Sequence, residues 1–206
     1  MRIAMLGITG RVGSRIAALA LHDGHEVVAL VRQLDKVSIT GSKLILLQGN
    51  AVSREDVSAA LVGVDIVISA LGTDGTTTLS ASIAILIEEM NKHGIQRIIT
   101  IGTAGILQSR LNPELLRYQS AESKRRSTFA AEEHQRVYET LSSSPLDWTI
   151  VCPTYLPDGE SIGTYRVERD YLPEEGASIS VGDTAAFAYS LIDNREYSCA
   201  RVGIAY

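Results

Sequence analysis

Gly7-Ile8-Thr9-Gly10-Arg11-Val12-Gly13 (GITGRVG) sits between an apolar β-prone run, Arg2–Leu6, and a stretch of helical character from about Gly13 to His22. Each glycine has a separate physical job in a strand–turn–helix unit. Gly7 lets the chain turn sharply out of the strand. Gly10, without a Cβ, lets the backbone approach a diphosphate. Gly13 lets the helix pack closely on the sheet. Amide groups at the helix start then face an anion with no side chain required. In this context the seven residues predict a dinucleotide-binding loop, with Thr9, Arg11 and Val12 contributing between the glycines.

Working outward, short β-branched runs alternate with amphipathic stretches. Strands are expected at Glu26–Val31, Lys43–Leu47, Val64–Ala70, Arg97–Ile101, Asp147–Cys152 and Ser198–Ala205. Helices are expected from near Ser53, whose hydroxyl and Asp56 suit an N-terminus, at Thr76–His93 and at Asp183–Ile192. VDIVISA at 64–70 is nearly all apolar, as in a strand buried on both faces. The alternation predicts an α/β fold: a Rossmann-like, doubly wound parallel sheet with right-handed crossovers. The Gly-, Pro- and Tyr-rich tail from residue 153 reads as a small substrate-side C-terminal lobe of one domain spanning 1–206.

Composition narrows the functional classes. The chain has 206 residues, 45% hydrophobic and 21% charged, with a formal net charge of -5. That balance suits a globular protein and argues against nucleic acid or an anionic membrane as the main partner. No apolar stretch reaches the roughly 20 residues that cross a bilayer, and Met1–Ile8 is too short for a signal-peptide core. Cys152 and Cys199 show no paired spacing and read as reduced thiols, so a cytoplasmic location is expected. No His/Cys/Asp/Glu cluster has metal-ligand spacing.

Cofactor choice falls to the end of the second strand. An NAD site places a carboxylate about 20 residues beyond the loop to accept from the ribose 2′-hydroxyl. Here Arg32 follows Ala29-Leu30-Val31. A guanidinium suits a 2′-phosphate, so NADP(H) is preferred over NAD(H), with Arg11 as a second cation. The alternative is that Arg32 is a solvated strand-end charge.

Together these residues resemble the atypical short-chain dehydrogenase/reductases of the NAD(P)H-binding, NmrA-like type, over most of the chain. The likeness is carried by GITGRVG at 7–13, LVR at 30–32, QGN at 48–50, ISALGT at 68–73, ITIGTAG at 99–105 and LDWTIVCP at 146–153. Within that group the pattern is similar to the flavin reductase/biliverdin-IXβ reductase branch. The resemblance implies that Asn50, with Ala51 beside it, lies near the adenine. Ala70, Leu71 and Gly72 would line the adenosine ribose and diphosphate. Thr103 and the Cys152-Pro153-Thr154 backbone would border the nicotinamide.

The usual Tyr-x-x-x-Lys proton-donating pair is missing: Glu122 stands four residues after Tyr118 and Ser142 four after Tyr138. The serine often found after the fifth strand is replaced by Thr103-Ala104. Candidate catalytic residues are therefore His134, Thr103 and Tyr155. Ala130, His134, Val137, Tyr138 and Leu141 share a helical face, so His134 points inward, as a proton donor or carboxylate holder, or as a core-margin histidine bonded to the backbone. Tyr155 either stacks on a planar acceptor at the pocket mouth or packs. Lys124-Arg125-Arg126 reads as a solvated basic stretch. The expected function is an NADPH-dependent reductase passing hydride to a small planar acceptor, such as a flavin or quinone. A non-enzymatic NADP(H)-binding redox sensor is the alternative. An epimerase-like reading fares worse, because it lacks both the Tyr–Lys pair and material for a second nucleotide site.

Overall fold

In a computed structural model, which describes residues 1–123 and 127–206, eight strands form a single sheet. The Lys124–Arg126 cluster lies outside the described residues. The elements run β1 (Arg2–Leu6), α1 (Arg11–His22), β2 (Glu26–Val31), β3 (Leu44–Gln48), α2 (Arg54–Ala60), β4 (Ile66–Ser69) and α3 (Thr78–His93). They continue with β5 (Arg97–Ile101), α4 (Phe129–Ser142), β6 (Asp147–Pro153), β7 (Arg166–Arg169), α5 (Val181–Ser190) and β8 (Ala200–Ala205). The strand order is β3-β2-β1-β4-β5-β6-β8-β7. Every pairing is parallel except β7 with β8. This is the Rossmann-like α/β fold expected from the sequence.

The strands are apolar on both faces because both faces are covered. Ala4, Leu6, Val28, Leu30, Val67 and Ile98 pack into the core beneath α2, α3 and α4. Their alternates Ile3, Met5, Val27, Ala29, Ile66 and Ile99 pack into the opposite core beneath α1 and α5. Period-two alternation thus divides each strand between two hydrophobic layers.

The segment after Pro153 extends this sheet. β8 lies beside β6, and β7 closes the edge antiparallel to it. β7, with the sequence Arg-Val-Glu-Arg, gives no apolar alternation to read, which is why it was not expected. Charged side chains suit an edge strand, where they discourage further pairing.

α5 begins at Val181, two residues before the expected Asp183, because Ser180 is its cap: the Ser180 hydroxyl accepts from the Asp183 amide at 3.0 Å. Asp183 itself is fully buried and holds distant segments together. Its carboxylate accepts from the Ser161 hydroxyl (2.7 Å), the amides of Ile162 (3.1 Å) and Gly163 (2.9 Å), and the Tyr206 hydroxyl (2.7 Å). Burial alone would push this carboxyl up. The Ser161 and Tyr206 hydroxyls and the Gly163 and Ile162 amides outweigh that and hold it at about 2.

Asp183→Asn places an amide donor among groups that are already donors. It should lower unfolding free energy by about 2–4 kcal/mol at pH 7. The folded-state pKa lies below the ordinary 3.8, so the stabilisation is present above about pH 4 and is lost as pH falls through about 2. Urea titrations of wild type and variant should therefore differ at pH 7 and converge towards pH 2.

Candidate functional site

Sheet register decides what meets at the C-terminal edge. Leu6 pairs with Leu30 on one side and Ser69 on the other, so the chain leaves β1, β2 and β4 at adjacent points. Val31 pairs with Gln48, which brings Gly49 and Asn50 alongside Arg32. β1 and β4 are also where strand order reverses, the point at which open α/β sheets form their ligand crevice. A cavity occupies this crevice, lined by Gly7, Thr9, Gly10, Arg32, Asn50, Ala51, Ala70, Leu71 and Gly72 among others. Positions as distant in the sequence as Gly7 and Gly72 are thus brought to one wall by the sheet.

The glycines divide into two kinds. Gly7 has φ +83°, and a Cβ there would lie 2.4 Å from the Ala70 carbonyl oxygen. A Cβ on Gly13 would lie 2.2 Å from the Gly7 carbonyl oxygen. Both are demanded by backbone packing. At Gly10 the nearest atom is 3.2 Å away, so the fold itself asks much less of that position. α1 starts at Arg11 with no side-chain cap from Gly10 and no acidic residue in its first turn. First-turn amides with no intrahelical acceptor, next to a cradle that a Cβ would fill, fit a diphosphate.

The side chains of Arg11 and Val12 are directed elsewhere. Arg11 donates to the Leu156 carbonyl (3.0 Å) and pairs with Asp158 (2.9 Å), so its charge faces the segment after β6 rather than the cavity. Val12, in the first turn of α1, points into the core and can offer only its backbone. At the far end of the cavity Arg32 is two-thirds exposed and pairs with Asp74 at 3.4 Å. Asp74 lies in the loop after β4. Sequence reasoning missed it, although the Asp74-Gly75 pair marks a turn there.

Asn50 is fixed from behind. Its amide donates to the Asp56 carboxylate at 2.8 Å, and its side-chain oxygen accepts from the Val52 amide at 3.2 Å. Ser53 caps α2 as expected, accepting from the Asp56 amide at 3.3 Å.

Farther along the same edge an open groove follows β5 and β6, lined by Ala104, Gly105, Arg117, Glu122, Thr154 and Tyr155. Thr103 is buried and accepts from the Gly105 amide, shaping the turn that forms one wall. Cys152 is fully buried beneath it, and burial pushes its thiol up to about 12, which rules out a thiolate at neutral pH. Pro153 is buried and Thr154 half-buried, while the Tyr155 ring is exposed at the groove. Arg117 and Glu122, which the sequence did not single out, form a half-buried ion pair at 2.7 Å.

His134 is buried on α4 and is not one of the groove's lining residues. The buried face of α4 comprises Ala131, Glu133, His134, Val137 and Leu141, so Ala131 takes the inward place expected for Ala130. Tyr118 donates its hydroxyl to Gln135.

A sequence profile of NAD(P)H-binding proteins matches residues 7–195. The chain belongs to the NAD(P)H-binding family. Solved structures with the same fold include a Bacteroides thetaiotaomicron protein provisionally named an epimerase (28% identity, TM-score 0.86, 100% of this chain and 96% of that one). A Streptococcus pneumoniae protein provisionally named an NADH-flavin reductase is 24% identical, with TM-score 0.80 over 100% and 99% of the two chains. ChuY, an anaerobillin reductase of Escherichia coli O157:H7, is 24% identical, with TM-score 0.78 over 98% and 97%. This NAD(P)H-binding protein thus has the Rossmann-like fold that its sequence predicts. Among the described residues no helix is long and apolar enough to cross a membrane.

The two classes of glycine give a direct check. Gly13→Ala should cost at least about 1–3 kcal/mol in urea unfolding, because backbone must move. Gly10→Ala should cost less than about 1 kcal/mol. A bulkier Gly10→Val should keep a cooperative unfolding transition yet lose nucleotide binding by at least about tenfold in a fluorescence titration.

Proposed function

We propose that this NAD(P)H-binding protein is an NADPH-dependent reductase that passes hydride to a planar acceptor, such as a flavin or a quinone. The observation that carries this reading is the arrangement of one sheet edge: the glycine cradle after β1 and the open groove after β6 lie along it, with the ends of β4 and β5 between. Such an edge suits a dinucleotide laid across it with its nicotinamide towards the groove.

When bound, the dinucleotide supplies the hydride. The chain supplies position and exclusion. Backbone amides from Gly7 to Gly13 hold the diphosphate. The Arg32 guanidinium holds the 2′-phosphate, and Asn50 with Ala51 borders the adenine. Thr103, with the Cys152–Thr154 backbone, borders the nicotinamide. The exposed ring of Tyr155 offers a face on which a planar acceptor can stack. Hydride transfer to such an acceptor depends chiefly on orientation, so a dedicated protonating pair is dispensable.

That agrees with the tyrosines present: none of the eight is followed four residues on by a lysine. The same absence weighs against epimerase or alcohol–ketone chemistry, and it also favours, as a second reading, a redox sensor that binds the cofactor without turnover. Oxidation of NADPH in the presence of FMN, FAD, riboflavin and quinones separates the two. Turnover above the acceptor-only blank is expected with at least one of them. Tight binding of NADPH without turnover on any would overturn the reductase reading in favour of the sensor. Arg32→Asp should shift the NADPH:NADH affinity ratio at least about tenfold towards NADH, through loss of a charge-assisted contact. An unchanged ratio would remove Arg32 from the 2′-phosphate role.

A further inference from the structure

The pairing of Arg32 with Asp74 is the starting observation. The two residues come from different strand ends, β2 and β4, and both line the same cavity beside Asn50. Asp74 is not a loose surface carboxylate. One of its oxygens accepts from the Thr76 amide (3.1 Å) and the Thr76 hydroxyl (2.6 Å), and that hydroxyl lies 2.7 Å from the hydroxyl of Thr78 at the start of α3. The other oxygen is the one facing Arg32 at 3.4 Å. The carboxylate is therefore aimed at the guanidinium by a turn anchored to a helix, although the pair lies at the exposed rim of the cavity.

The Thr76 hydroxyl, with further help from the Thr76 amide and Arg32, lowers the Asp74 pKa against a smaller opposing effect of burial. Asp74 thus carries its charge at neutral pH.

Two fixed opposite charges now share the end of the cavity at which the sequence points to the adenosine ribose. The guanidinium attracts a 2′-phosphate dianion. The carboxylate repels it and competes for the same guanidinium, while it can accept a hydrogen bond from an unphosphorylated 2′-hydroxyl. We propose that Asp74 is a specificity-determining residue that opposes Arg32, so that NADPH is favoured by less than Arg32 alone would give and NADH remains a competent ligand. This rests on the reading of Arg32 as the 2′-phosphate contact. The chemical class discriminated is the ribose 2′ substituent, phosphate against hydroxyl.

The test is equilibrium binding of NADPH and NADH to wild type, Asp74→Asn, Arg32→Ala and the double variant, at fixed ionic strength. Asparagine retains an oxygen for the Thr76 donors, so the loop keeps its turn. Urea unfolding curves for each variant provide the check on folding. Asp74→Asn is expected to raise the NADPH:NADH affinity ratio by about 3–10-fold, and Arg32→Ala to lower it. In the double variant the gain from Asp74→Asn should shrink, because part of it comes from releasing Arg32. A ratio unchanged or lowered in Asp74→Asn while Arg32→Ala lowers it would overturn the role of Asp74 and leave Arg32 in place. A ratio unchanged in both single variants would overturn both assignments. None of these outcomes depends on turnover, so they stand apart from the identity of the acceptor.

Discussion

Three backbone segments approach one another at the reversal point of the sheet: the turn after β1, the first turn of α1 and the end of β4. A side chain on Gly7 would strike the Ala70 carbonyl, and one on Gly13 would strike the Gly7 carbonyl. Everything else about the crevice follows from that closeness. Because α1 is drawn down onto the sheet there, its amino end opens at the crevice rather than at the solvent rim. Because β1 and β4 are parallel neighbours, the loops after them part, and the space between is left for a ligand. The hydrophobic layers stabilise this geometry without specifying it; many apolar combinations would fill them, while few residues other than glycine fit at 7 and 13.

The segment between Leu156 and Gly163 is held from two sides of unequal strength. On one side stand two exposed ion pairs, Arg11 with Asp158 and Arg15 with Glu160. Pairs of this kind contribute about 0–1 kcal/mol each, since water screens them and long side chains lose entropy. On the other side the buried Asp183 carboxylate accepts from Ser161, Ile162 and Gly163 while also binding Tyr206. Breaking that node takes the shared acceptor from several part-buried hydrogen bonds at once. The strap is therefore fixed chiefly to α5, and the arginines of α1 steer its outer end. This gives the Asp183 node a functional reach, because the strap begins just after Tyr155 at the groove.

Much of this was legible in the sequence, for identifiable reasons. β1, β2 and β5 carry apolar runs bounded by turn residues, and their limits are those expected. Gly7, Gly10 and Arg32, which line the cavity, are legible from their places at the ends of the first two strands, whereas Asn50 and Ala70 to Gly72 are reached only through the family resemblance. What escaped were features whose meaning depends on a distant partner. Asp183 looked like a helix-start residue, and only the fold delivers Ser161 and Tyr206 to it. Arg11 looked like a second phosphate cation until the strap supplied Asp158. β7, four residues with three charges, has no local pattern to betray it and exists because β8 offers an edge. Asp74 reads as half of a turn dipeptide until β2 brings Arg32 opposite it.

These unforeseen partners change the electrostatic character of the crevice. Arg11 is engaged by Asp158, and Arg32 is answered in part by Asp74. The first turn of α1 adds no acidic residue that would spoil the helix end. Attraction for a diphosphate then rests mainly on aligned backbone amides, whose dipoles are fixed by the glycine geometry and need no side chain to be ordered on binding. Such a site separates two tasks. On the proposed reading, main-chain dipoles hold the part common to NAD(H) and NADP(H), and the Arg32–Asp74 pair, some distance away, senses the ribose 2′ substituent. If positions 32 and 74 set cofactor preference as proposed, changes there leave undisturbed the packing at 7 and 13, on which the fold depends.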